Sequence, residues 1–232
     1  MKASFSQLHS LEWLVATQDF DDQQSLGDVL AAASQLTRLH LGAHPREVSQ
    51  RQLSVLTALR CCSLQLRDGE AEAWDVDVEF FALSLRAPDV AWMTRLTQLR
   101  LCMWDMSWGD LATAAAAGHL SALRSLHLHN EGSNGPDMFQ TPTYGGFPVV
   151  RLEHLTRLHV LDEGQVVTGG LIGALERCRL PALAVLEVTM TCCAGVEGDD
   201  ACAALWQQHL EQVVRRVVAP ALVRLTISAV SA

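Results

Sequence analysis

The sequence predicts an α/β protein built from strand–helix units stacked on one shared core. A leucine phrase with steps of three, three and two residues recurs along the chain. Between its copies lie segments whose apolar residues fall at helical spacing. Hydrophobic residues make up 49% of the chain and charged residues 19%, enough apolar surface for a sizeable core. The clearest copy, LSALRSLHLHN at 120–130, sets leucine at 120, 123, 126 and 128. Leu126 and Leu128, two apart, share one side of a short strand, and His127 and His129 take the other. The earlier three-residue steps belong to a chain still turning into that strand. One strand and one helix cannot bury their apolar faces alone, so the units must stack.

Taken in order, the phrase reads LEWLVA at 11–16, LTRLHL at 36–41 and CCSLQL at 61–66, where Cys61 fills the first leucine slot. It continues as LTQLRL at 96–101, LRSLHL at 123–128, LTRLHV at 155–160, LAVLEV at 183–188 and LVRLTI at 222–227. These copies predict parallel strands at 13–16, 38–41, 63–66, 98–101, 125–128, 157–160, 185–188 and 224–227. Leu8, Leu120, Leu152 and Leu180 add an earlier leucine three residues upstream. The 67–92 stretch leaves room for one irregular extra rung. Helices are predicted in DDQQSLGDVLAAA, SWGDLATAAAAGHL and TGGLIGALERCRL. The fullest helical pattern is DDACAALWQQHLEQVVRRVVAP, with acids at its start, Arg215 and Arg216 near its end and Pro220 beyond.

Eight copies of LxxLxL resemble the leucine-rich repeat family, over about residues 8 to 228. The resemblance implies a curved horseshoe solenoid, with a parallel sheet of about eight strands on the concave side and helices on the convex side. The long, uneven repeats are similar to the helix-bearing intracellular types, including the substrate-recognition arms of F-box ubiquitin-ligase adaptors. Residues 1–7 are too few to hold an F-box. One departure stands out: the slot three residues after the last strand leucine, usually Asn or Cys in the family, holds Asp19, His44, Gly69, Trp104, Glu131, Glu163, Thr191 and Val230. The chain is expected to form a single domain over 1–232, either whole or a fragment of a longer protein.

Charge and cysteine usage narrow the function classes. A net charge of −9 argues against a nucleic-acid binder, which usually shows a basic face. Arginine dominates the cations, Lys2 being the one lysine. No secretory signal is visible at the N-terminus, and LATAAAAGHL is far too short to span a bilayer. Seven cysteines without a CxxC pair read as reduced thiols, which places the protein in the cytoplasm or nucleus. GxSxG, HExxH and phosphate-loop motifs are absent, and TGGLIG lacks the GK[ST] ending. The expectation is a non-catalytic protein-interaction module without a cofactor.

Repeat scaffolds bind through the side chains that their strands turn away from the core. That outward column is predicted to run through Val15, His40, Gln65, Arg100, His127, His159, Glu187 and Thr226. Trp13, Arg38, Ser63, Gln98 and Arg157 flank it on one side, and Arg67, Cys102 and His129 on the other. The expected partner site combines Arg100, His127, His129, Arg157, His159 and Glu187 with Phe139 and Tyr144 from the long 130–150 connection. Its arginines and histidines favour an acidic protein or peptide, bound more tightly as pH falls through roughly 6.5. The alternative is a metal site, or a metal-dependent enzyme, using His127, His129 and His159.

Overall fold

The computed structural model describes residues 6–14, 23–43, 53, 55–66, 94–102, 108–130, 149–162, 169–192, 211 and 219–231. Among the described residues there are ten strands: β1 (Ser10–Leu14), β2 (Arg38–Ala43), β3 (Cys61–Leu66), β4 (Gln98–Cys102), β5 (Ser125–Asn130), β6 (Val150–Arg151), β7 (Arg157–Asp162), β8 (Cys178–Arg179), β9 (Val185–Cys192) and β10 (Arg224–Ser231). Three described helices are α1 (Gln23–Ala32), α2 (Trp108–Ala116) and α3 (Gly169–Glu176). Eight strands form one parallel sheet in the order β1-β2-β3-β4-β5-β7-β9-β10. Each new strand therefore joins the edge left by the one before it, with no reversal of direction. The short strands β6 and β8 form a second parallel ladder, so the segments entering β7 and β9 are stacked as well.

The three-residue leucine steps are hydrogen-bonded turns. The Leu123 amide donates to the Leu120 carbonyl at 3.1 Å, Leu155 to Leu152 at 3.4 Å and Leu183 to Leu180 at 3.1 Å. The same bond joins Leu36 to Ala33, Leu59 to Leu56 and Leu222 to Ala219. Each i to i+3 closure folds the chain back by about one turn, so both leucines face the same interior before the strand begins. The two-residue step then keeps the next pair inward through the strand's alternation. Leu120, Leu123, Leu126 and Leu128 are all buried, as are Leu39, Leu99 and Leu158.

A second device joins one rung to the next. Two residues before each strand's first core position, a backbone carbonyl accepts two amides from the following rung. Thr37 and Arg38 donate to His9, Arg60 and Cys61 to Thr37, and Thr97 and Gln98 to Arg60. The series continues through Thr97, Arg124, Thr156 and Ala184 up to Val223 and Arg224. Threonine at this position adds its hydroxyl. Thr37 Oγ1 donates to His9 O at 3.0 Å, Thr97 to Arg60 O at 3.2 Å and Thr156 to Arg124 O at 3.0 Å. The threonine of the LTxLxL phrase thus stitches the rungs at the strand entrance.

Two rungs differ from the sequence expectation. In the first, Leu11 pairs with Leu39 and Trp13 with Leu41, so the repeat is set by Leu8, Leu11 and Trp13, three residues ahead of the predicted alignment. A three-residue slip inverts the alternation. Glu12 therefore stands beside His40 in the outward column, and predicted Val15 lies outside the described residues. In the third rung Cys62 pairs with Leu39 and with Leu99, two residues ahead of the prediction. Ser63, not Gln65, therefore occupies the outward column between His40 and Arg100. Cys62 is small and apolar enough to fill a leucine slot, where it is buried as part of the core.

β3 pairs directly with β4. The proposed extra rung at 67–92 falls outside the described residues, as does nearly all of the last predicted helix, of which Glu211 is seen in helical conformation. The helices at 23–32, 108–116 and 169–176 lie within their predicted segments. Helix α2 ends at Gly118, whose φ of 78° is in the left-handed region. The His119 amide donates to Ala114 O and the Gly118 amide to Ala115 O, each at 3.0 Å. That pair of bonds is the Schellman closure, which returns the chain toward Leu120 and the next rung.

Candidate functional site

The outward column follows from the register. Strands whose core residues pair must also pair the residues between them, so Glu12, His40, Ser63, Arg100, His127, His159, Glu187 and Thr226 form one row across the sheet. Arg38, Cys61, Gln98, Ser125, Arg157, Val185 and Arg224 form the row toward the strand entrances. Cys102 pairs with His129 in the row toward the strand exits. The six predicted site residues on strands therefore come together: Arg100, His127, His159 and Glu187 in a single row, Arg157 and His129 on either side. Phe139 and Tyr144 lie outside the described residues.

His127 and His159 sit on adjacent strands with ring centroids 4.0 Å apart and a 40° tilt between planes. His127 is half-buried, and its Nε2 is buried without a hydrogen-bond partner. Ser63 Oγ, further along the same row, is likewise buried and without one. Burial, together with smaller contributions from His159, Arg100 and His129, holds the His127 pKa down to about 4. At neutral pH this imidazole is uncharged, so the first sequence expectation for pH dependence is revised: His127 titrates well below 6.5. A charged imidazole here would lose solvent and face other cations.

The charges around this row are unevenly satisfied. Arg224 on β10 reaches Glu187 at 3.6 Å, and Arg151 pairs with Glu153. Arg100, Arg124 and Arg157 are exposed, and no described carboxylate lies within ion-pair distance of them. Arg124 was not singled out from the sequence, because it precedes the strand by one residue and belongs to neither predicted row. The clue was present in its place: it occupies the rung-stitching position taken elsewhere by Thr37, Thr97 and Thr156.

Two of the described thiols are held protonated by burial. Cys61, Cys62 and Cys178 are free, and Cys61 donates to Gln98 Oε1 at 3.5 Å. Burial raises the Cys62 thiol far above its ordinary pKa and pushes that of Cys178 up to about 12. Neither supplies a thiolate at neutral pH. Among the described residues no group of three or more His, Cys, Asp or Glu side chains is arranged to hold a metal ion. None of the described helices is long and apolar enough to cross a membrane. Compared with known family models, curated proteins and solved structures, the chain has no match.

Proposed function

We propose that this chain is a protein-interaction module of the leucine-rich-repeat kind, which receives a partner on the strand face between β4 and β9. The observation that carries this reading is the sheet's order. Eight parallel strands added one after another from a repeated phrase present eight outward side chains in a single continuous row. Such a row is a binding strip whose chemistry changes one residue per rung, with a rigid core beneath it. Its middle holds Arg100, His127, His159 and Glu187, flanked by Arg157 and His129. In this reading the molecule is a solenoid with the strands on its concave side. Strands need about 4.8 Å per rung and packed helices about 8–10 Å, so the helical side must fan out.

The test compares capture of a cellular partner by the wild type, by the double variant Arg100→Glu with His159→Glu, and by Arg177→Glu. Arg177 follows α3 and leads into β8, in the second ladder rather than the main sheet. The expected result is loss of a specific partner in the double variant and its retention in Arg177→Glu. Equal capture by all three proteins would refute the strand face as the site.

A further inference from the structure

We infer that the strand face from β4 to β7 is a receptor for the carboxylates of an extended acidic peptide, held between Arg100 and Arg157 across Ser125 and His127. This rests on the interaction-module reading and gives its partner a chemistry.

The register places the cations. Arg157 pairs with Ser125, which Arg124 immediately precedes, and Arg100 pairs with His127. Arg100 and Arg157 are thus two rungs apart across the sheet and two residues apart along it, about 12 Å between Cα atoms from standard strand spacings. An extended peptide presents alternate side chains on one side about 7 Å apart. Two long guanidinium arms reach inward across that difference, so two acidic residues at i and i+2 fit between them. Guanidinium binds carboxylate through paired N–H donors, which makes arginine the fitting residue for this task.

Among the described residues the patch has no free counter-charge of its own. Glu187, the nearest acid in the row, is engaged by Arg224 at 3.6 Å. No described acid contacts Arg100, Arg124 or Arg157. The chain as a whole carries −9, so this is a local positive field in an acidic molecule. That contrast favours a short acidic segment over a nucleic acid, whose long phosphate chain would meet the net negative charge. The described outward row also offers no Phe, Tyr or Trp on which bases could stack.

Binding here is coupled to a proton. His127 faces Arg100 on β4, His129 on its own strand, and His159 and Arg157 on β7, with Glu187 one strand beyond. In the free protein its protonated form is disfavoured by burial first and then by His159, Arg100 and His129. A carboxylate seated over the patch offsets the cations and favours protonation. Affinity therefore rises, with proton uptake on binding, as pH falls below 6.5, until the peptide's own carboxylates begin to protonate near about 4.3.

The experiment uses the full chain and a fluorescent peptide of alternating Glu and Ser, with a Gln–Ser peptide and an oligothymidylate as comparisons. Anisotropy is expected to show binding of the Glu peptide alone, weakened at least about tenfold in the double variant Arg100→Gln with Arg157→Gln. Arg177→Gln should leave it unchanged. The His127 imidazole signal in NMR should titrate at higher pH when the peptide is saturating. Equal affinity in the double variant, equal binding of the Gln peptide, tighter binding of the oligothymidylate, or an unmoved His127 titration would each overturn the inference. If partner capture still depends on Arg100 and His159 while the Glu peptide fails to bind, the interaction-module reading stands and the acidic occupant is wrong.

Discussion

The phrases LRSLHL and LVRLTI have the same spacing, yet the rungs they build differ in burial. In the first, Leu123, Leu126 and Leu128 are buried, Leu126 to 2% exposure. In the second, Leu222, Leu225 and Ile227 are only partly buried, and Val223 is 87% exposed. The difference lies in their neighbours. β5 is paired on one side with β4 and on the other with β7, whereas among the described residues β10 is paired with β9 alone. A leucine in this fold is covered partly by its own rung and partly by the next, so the phrase specifies direction while the stack supplies burial. An edge strand of a sheet loses the cover that a second neighbouring strand would supply.

The largest expected effect tests this directly. Leu126→Ala should cost about 2–5 kcal/mol, the range for truncating a fully buried leucine. Leu225→Ala should cost about 1 kcal/mol, because less apolar surface is removed from cover. Urea denaturation of the two variants measures both, and equal losses would break the comparison. The next effect separates the interior of the row from its edge. Because the folded state holds the His127 pKa down to about 4, the unfolded chain binds this proton more readily. Stability should therefore fall as pH drops from 6.5 toward 4, and His127→Gln should flatten that slope in pH-dependent melting curves.

Smaller effects concern the connections. Gly118→Ala should cost about 1 kcal/mol, since a side chain disfavours the positive φ that closes α2 before the β5 rung; Gly118 has open space around it, so backbone conformation alone sets the penalty. Thr156→Val should cost about 1 kcal/mol by removing the hydroxyl bond to Arg124 O at 3.0 Å. The last rung offers the converse. Val223 occupies the same position and its amide already donates to Ala184 O at 2.9 Å. Val223→Thr should add the missing hydroxyl bond and gain a few tenths of a kcal/mol, about the lower end of a net hydrogen bond. Thermal denaturation of the three variants ranks them.

The leucine spacing made most of the sheet legible. Six predicted strands begin where the observed strands begin, at residues 38, 98, 125, 157, 185 and 224. The first and third rungs were misaligned for opposite reasons. In LHSLEWL two leucine frames compete, and the Leu8–Leu11 frame prevails, with Leu11 in register with Leu39 and Trp13 with Leu41. In LRCCSLQL a cysteine stands in the leucine slot and hides the frame from a search for leucine.

The sequence by itself determined the order of turn and strand within each rung, because steps of three and two residues leave one way to keep every leucine inward. It also determined that His127 and His159 would be neighbours, since equal positions in consecutive copies fall in register when the copies stack. Only the tertiary structure decided which phrases are fully covered, that threonine hydroxyls stitch the strand entrances, and that Glu187 is met by Arg224. Those outcomes depend on contacts between residues about 30 positions apart in the chain. Periodicity encodes where a side chain points, while burial and pairing depend on what the neighbouring rung places beside it.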